Sequence, residues 1–204
     1  MIAKDVATLI LAAGASSRMG RPKALLPWGK TTVLGNIISE LDIAGLRDIV
    51  LVSGAHHKQI SGVLAKRNIR ICFNKGWEAG MGSSLKIGVQ HIEDAYPEKH
   101  GLLVLLSDQP LISGAYIKEM LRSSEKHPGH IIATAYGKSE GVPALFPRSI
   151  WPSMAQIPPE KGAKVLIRAH RNRTVLLDAG EAIMDMDTPE AYREILQKAG
   201  LNSG

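Results

Sequence analysis

Arg18 and Lys23 close a stretch of small residues, Ala12-Ala13-Gly14-Ala15-Ser16-Ser17, that follows the apolar run Thr8-Leu9-Ile10-Leu11. Small residues let backbone N–H groups come close to an anion. A guanidinium beside them grips two oxygens at once, and an ammonium adds a mobile charge. That is chemistry for holding a polyphosphate. Far along the chain, Asp108 ends a second apolar run, in Ser107-Asp108-Gln109-Pro110. A carboxylate at the end of a buried strand is poorly solvated and calls for a cation, either a metal ion or a basic side chain. Gly80-Met81-Gly82-Ser83-Ser84 precedes a helical pattern, so its N–H groups point past a helix start. Asp187 lies in Met186-Asp187-Thr188-Pro189-Glu190, where the residue types also read as an ordinary helix cap.

Several other chemistries are missing. Gly14 to Gly20 lacks the third glycine of a dinucleotide loop. Gly29-Lys30-Thr31 imitates the end of a Walker loop, but Ala24 stands where that loop needs glycine. No Ser-His-Asp or Cys-His set is evident, and HExxH is absent. His56-His57 has no partner at a familiar ligand spacing and reads as surface.

The elements that must position these residues alternate between strand and helix, which predicts an α/β fold with a largely parallel sheet. Strands are expected over 6–12, 49–53, 69–73, 102–106, 131–135, 144–146 and 174–177, with 102–106 central. Helices are expected after Thr32 with Gly45 past the end, over 56–66, after Ser83 or Ser84 acting as the cap, and over 113–124, 162–170 and 189–199. Residues 137–141 and 152–159 read as surface loops, and the second as the edge of a substrate lid. No internal repeat or linker divides the 204 residues, so one domain spanning 1–204 is expected.

The composition narrows the partners. Net charge is +6, gathered at Arg18, Arg21, Lys23 and Lys30 and again at Lys164, Arg168, Arg171 and Arg173. Aromatic content is only 4%, so stacking platforms for nucleic acid are scarce and small polyanions explain the charge instead. The second cluster also reads as a solvated helix face. Cys72 is the one cysteine, within a strand pattern, which suits a buried hydrophobe in a reducing compartment. No apolar run approaches the ~20 residues that span a bilayer. Residues 4–13 imitate a short signal peptide, but Asp5 spoils its positive region, and a cytoplasmic protein is expected.

The stretch LAAGASSRMGRPK resembles the signature of nucleotidyltransferases similar to the molybdenum cofactor cytidylyl- and guanylyltransferases. Gly80-Met81-Gly82-Ser83-Ser84-Leu85, Ser107-Asp108-Gln109-Pro110, Gly141-Val142-Pro143-Ala144-Leu145-Phe146 and Asp185-Met186-Asp187-Thr188-Pro189-Glu190 fit in the same order. The resemblance implies a three-layer α/β/α, Rossmann-like fold of the nucleotide-diphospho-sugar transferase type. It implies that Leu11, Ala12, Ala13, Gly14, Arg18, Lys23, Gly80, Met81, Gly82, Ser83 and Ser84 bind the nucleotide. Arg18, Lys23 and Asp108 would carry catalysis, and Asp187 would join Asp108 in holding Mg²⁺, with Asp185 as the alternative.

The implied reaction joins CTP to the phosphate of molybdopterin or the molybdenum cofactor and releases pyrophosphate, for hydroxylases of the xanthine dehydrogenase type. The partners implied are the nucleotide, the pterin phosphate and, in passing, a molybdenum hydroxylase. Gln109, Pro110, Gly141, Pro143, Glu160 and Lys164 would face the acceptor. There the chain reads Pro159-Glu160-Lys161-Gly162-Ala163-Lys164 where the family usually has Gly-Asp-x-Gly-Ala-Arg, so a bidentate arginine becomes a lysine. Two readings stay open beside it: a cytidylyltransferase for an isoprenoid or sugar phosphate, and a cofactor chaperone without turnover.

Overall fold

Residues 1–16, 19–65 and 67–201 are described in the computed structural model of the protein. The first strand, β1 (Val6–Ala12), is buried along its whole length. Its side chains divide between two apolar clusters: Val6, Ile10 and Ala12 face one, and Ala7, Leu9 and Leu11 the other. A strand apolar on both faces must lie inside a sheet covered on both sides. The sheet has seven strands in the order β5-β4-β1-β6-β8-β7-β9. Besides β1 they are β4 (Ile49–Ser53), β5 (Arg70–Phe73), β6 (Gly101–Leu106), β7 (Ile131–Tyr136), β8 (Ser139–Pro147) and β9 (Thr174–Asp178). Neighbours pair in parallel except β8, which runs antiparallel to β6 and to β7. A small antiparallel ribbon, β2 (Pro27–Trp28) with β3 (Thr31–Thr32), lies apart from the sheet.

Helices α1 (Val33–Ala44), α2 (His57–Leu64), α4 (Gly114–Lys126) and α7 (Pro189–Lys198) supply buried residues to one cluster. Helix α3 (Met81–Ala95), with the short α5 (Trp151–Met154) and α6 (Lys164–Ala169), supplies the other. The result is the expected three-layer α/β/α arrangement with a mostly parallel sheet. Thr32 caps α1 by accepting from the Gly35 N–H at 3.1 Å, and Gly45 ends it at φ 83°. Ser113 and Thr188 cap α4 and α7 in the same way.

Four expectations need correction. Helix α3 is capped by neither Ser83 nor Ser84. It starts a turn earlier, after Gly80 at φ 115°, a conformation that glycine alone adopts readily. Strand β8 runs to nine residues and takes in Ser139–Gly141, read above as loop. Gly141 and Pro143 look like strand breakers in sequence, but the register shift between Ala133 and Thr134 accommodates them. The loop expected over 152–159 begins inside α5. Helix α2 ends at Leu64, and Lys66 lies outside the described residues.

The chain runs outward from β1 through β4 to β5, then returns to place β6 on the other side of β1. The carboxyl ends of β1 and β6 therefore flank a topological switch point, where open α/β sheets place their ligands.

Candidate active site

Two loops leave the sheet at this switch point. After β1 come Ala13, Gly14, Ala15 and Ser16, and after β6 come Ser107 and Asp108. The Ser107 N–H donates to the Leu11 carbonyl at 3.1 Å, so the two loops diverge from one ladder. Ser16 sits at φ 51°, in the left-handed region that a non-glycine residue occupies at a small cost. Its hydroxyl accepts from the Lys23 N–H at 3.2 Å, which seats Lys23 at the head of a 3-10 turn, Lys23–Leu25.

From that seat the Lys23 side chain crosses to both aspartates. Nζ lies 3.2 Å from Asp108 Oδ2 and 2.5 Å from Asp187 Oδ1. The Met186 N–H donates to the Asp108 carbonyl at 3.4 Å and brings the 185–187 segment alongside. Burial alone would lower the Lys23 pKa. The hydrogen bond to Asp187 and the charge of Asp108 outweigh it, and the ammonium titrates above the ordinary lysine value. The second Asp108 oxygen, Oδ1, is buried with no hydrogen-bond partner among the described residues.

Beside this cluster opens a cavity of about 350 Å³. Of the residues expected to bind nucleotide, Leu11, Ala12, Ala13, Gly14, Lys23, Gly80, Met81 and Ser84 line it, and Asp108 closes one end. Gly82 and Ser83 stand behind the lining. The Gly82 N–H donates to the Pro159 carbonyl at 2.8 Å, so this amide faces protein and not ligand. The Ser83 hydroxyl accepts from Asn74 Nδ2 at 2.8 Å and donates to the Gly80 carbonyl at 2.7 Å. Arg18 lies outside the described residues.

The residues expected on the acceptor side divide into two groups. Gln109 is buried below Asp108. Its amide donates at 2.8 Å both to Tyr136 Oη and to Asp185 Oδ1, and its Oε1 lacks a partner among the described residues. Burial pushes the Tyr136 phenol up to about 12, against the lowering effect of the Gln109 donor. Gly141 lies against the Tyr136 ring, and the Pro143 carbonyl accepts from Thr134. The Pro110 carbonyl accepts from Asn36 at 2.9 Å and faces α1. Glu160 and Lys164 are exposed: Glu160 abuts Gly80 at the cavity, and Lys164 bonds the hydroxyl of Ser139, which pairs with Tyr136. Of the late basic cluster, Arg168 pairs with Glu140 at 2.8 Å.

Sequence reasoning missed one wall of the cavity, formed by Trp77, Glu78, His56 and Ile60. Asn74 builds it. Its Oδ1 accepts from the Gly76 N–H at 2.9 Å, while its Nδ2 donates to Ser83 and Ser84. That one amide fixes the turn carrying Trp77 against the first turn of α3. Gly54 lets the wall close, because a Cβ there would lie 2.4 Å from the Ala13 carbonyl and 2.7 Å from Trp77 Cβ. His56, read above as surface, bonds the Ala15 carbonyl through Nε2 at 2.8 Å and ties the start of α2 to the loop after β1. The signal was available: Asn74 and Trp77 follow the carboxyl end of β5, where ligands collect.

Asp108 and Asp187 fit a divalent ion. They are hard oxygen donors from distant parts of the chain, already gathered around one cation, and one Asp108 oxygen stands buried and unpartnered. Among the described residues no group of three or more His, Cys, Asp or Glu side chains forms a complete metal site. Two carboxylates suit an ion that takes few protein ligands and fills its shell with water and substrate oxygens.

A doubly wound sheet, a small-residue loop at its switch point, and a lysine beside paired carboxylates define a nucleotide-handling α/β enzyme. The profile of the MobA-like NTP transferase domain matches residues 8–174, and the chain belongs to that family: it is a nucleotidyltransferase. It is 31% identical over 202 residues to the nicotine blue oxidoreductase of Paenarthrobacter nicotinovorans, covering 94% of this chain and 96% of that one. It is 25% identical over 185 residues to the molybdenum cofactor cytidylyltransferase of Escherichia coli K12, covering 90% and 92%. The crystal structure of Rv0371c from Mycobacterium tuberculosis H37Rv superposes with a TM-score of 0.78 at 25% identity, over 96% of this chain and 99% of that one. A complex of the same protein with manganese superposes at 0.76, with 24% identity over 95% and 98%.

Proposed function

We propose that this nucleotidyltransferase moves CMP from CTP to the terminal phosphate of molybdopterin or the molybdenum cofactor and releases pyrophosphate. The observation that carries this reading is the Lys23 ammonium shared between Asp108 and Asp187 at the mouth of the cavity. In nucleotidyl transfer the acceptor phosphate is itself the nucleophile. An acceptor oxygen bonds to the α-phosphorus of CTP, the α–β phosphoanhydride bond breaks, and pyrophosphate leaves with the electron pair. No general base is required, which agrees with the absence of a Ser-His-Asp or Cys-His motif. The work left to the protein is positioning and neutralisation of charge.

Each part of the cavity has a share in that work. The backbone of 11–14 and Ser84 face the nucleotide with little side-chain bulk. Trp77 offers an apolar face for the base. Lys23 meets the phosphates, and Asp108 with Asp187 would hold Mg²⁺. When bound, that ion supplies Lewis-acid stabilisation of charge at the phosphates. The manganese complex of Rv0371c and the name of the E. coli relative support the metal and the acceptor respectively. The choice of CTP rests on Arg21-Pro22-Lys23 and Gly80 to Leu85, which look like the cytidylyl branch of the family.

A second reading follows from the relative named for nicotine blue: a redox enzyme using the same cleft. Paired carboxylates around a lysine favour phosphate chemistry over it. The deciding experiment incubates the protein and Mg²⁺ with each NTP in turn, with and without molybdenum cofactor, and follows pyrophosphate. Release from CTP that depends on the acceptor supports the proposal. Equal kcat/KM for GTP, or no release from any NTP while nicotine blue is reduced by a reduced nicotinamide nucleotide, overturns it.

A further inference from the structure

The seat that Lys23 occupies is the seat a divalent ion needs. Its ammonium is engaged with Asp187 Oδ1 at 2.5 Å and Asp108 Oδ2 at 3.2 Å. An ion ligated by the same two carboxylates, at about 2.0–2.1 Å from each for Mg²⁺, must sit within a few ångströms of that ammonium whichever carboxylate oxygens it takes. Two cations held that close together, partly shielded from water, repel strongly.

The lysine has somewhere else to go. Its backbone is pinned by Ser16 and by the 3-10 turn, so the anchor stays in place. Beyond the anchor are four methylenes of flexible stem. The same side chain lines the cavity together with Leu11–Gly14. Rotation of the stem alone moves Nζ from the carboxylates into the space where the phosphates belong.

We infer that Lys23 and the divalent ion exclude one another at Asp108 and Asp187, and that this exclusion couples metal binding to nucleotide binding. The inference rests on the nucleotidyl-transfer reading above. In the free enzyme the lysine stands in for the ion and weakens metal binding. A nucleotide gives the displaced ammonium a new partner in its phosphates, so the ion binds more tightly when the nucleotide is present. Linkage makes the effect reciprocal: the ion frees Lys23 and so tightens the nucleotide. Lys23 is thus a positioning residue with two seats, and the ion decides which one it takes.

Two measurements on the intact chain test this, with Mn²⁺ as the probe and no nucleotide present. In the first, free Mn²⁺ is followed by electron paramagnetic resonance with wild type and Lys23→Met. Removing one member of a close charge trio should tighten Mn²⁺ binding roughly tenfold or more. In the second, wild-type lysines are acetylated briefly and read by mass spectrometry with and without Mn²⁺. Lys23 labelling should rise several-fold with the ion, while Lys99, buried against Asp48 at 2.5 Å, stays constant as the internal reference.

Equal Mn²⁺ affinity in the two proteins overturns the exclusion, and so does Lys23 labelling that stays constant or falls. If Lys23→Met does not fold, the labelling of wild type decides by itself. Failure of either protein to bind Mn²⁺ even with CTP added overturns the metal reading beneath the proposal, and the exclusion with it.

Discussion

Asp108 carries two duties on one carboxylate: Oδ2 accepts from Lys23, and Oδ1 waits without a partner among the described residues. Asp108→Ala should lower kcat by roughly 10²–10³-fold, the usual loss when an electrostatic contact to the transition state is removed. The fold should persist, since the carboxylate sits at a loop and not in either apolar cluster. Pyrophosphate release and circular dichroism together check this; near-native turnover at modest Mg²⁺ would rule out the metal role. Trp77 gives a second test at this scale. Trp28 and Trp151 are buried in the two apolar clusters, whereas Trp77 lines the cavity. CTP should quench the fluorescence of wild type but not of Trp77→Phe. Trp77→Ala should weaken CTP binding about tenfold, since base stacking is worth roughly 1–3 kcal/mol. Quenching that survives in Trp77→Phe would remove the indole from the base site.

At the scale of elements, the start of α3 is held by backbone. A Cβ on Gly82 would lie 2.3 Å from the Pro158 carbonyl and 2.7 Å from that of Lys161. Gly82→Ala must push segment 158–161 away, at about 1–3 kcal/mol as for other overpacked sites, with a lower Tm. Met81→Ala, at an exposed side chain, should leave Tm nearly unchanged, and equal melting of the two variants would contradict the close packing. This junction also shows what could be read from sequence. Thr32, Ser113 and Thr188 announce their helices because capping is local chemistry. The start of α3 does not, because the amide of its second residue, Gly82, is satisfied by Pro159, a residue far along the chain. Strand β8 was half legible for a similar reason: its bulge and its reversed direction are settled by β7 and β6, not by Gly141 or Pro143. Lys23, Asp108 and Asp187 were legible as types and motifs. That the Lys23 ammonium joins both carboxylates was not, since only the fold brings 23, 108 and 187 together. Trp77 was passed over because an aromatic near a strand end looks the same whether it packs or binds.

At the scale of the molecule, both apolar clusters share one sheet, with β1 feeding each from alternate residues. Neither layer of helices has a core without that sheet. The chain should therefore unfold in a single cooperative transition, with calorimetric and van't Hoff enthalpies in agreement. Two resolved transitions would mean that the β8-β7-β9 side folds as a separate unit.

The seam between Gly82 and Pro159 has a meaning for descent as well as for stability. Its contacts are amide to carbonyl and bare Cα to carbonyl, and they use no side chain from Glu160 or Lys161, both of which face solvent. Such a joint keeps its shape while the residues displayed on it are exchanged. The residues of 158–164 can therefore be exchanged without disturbing the cavity wall behind them. Glu160 and Lys164, standing where the resemblance implies aspartate and arginine, are the kind of change this joint permits. A lineage built on it can vary what it displays at this edge of the cavity while inheriting the wall intact.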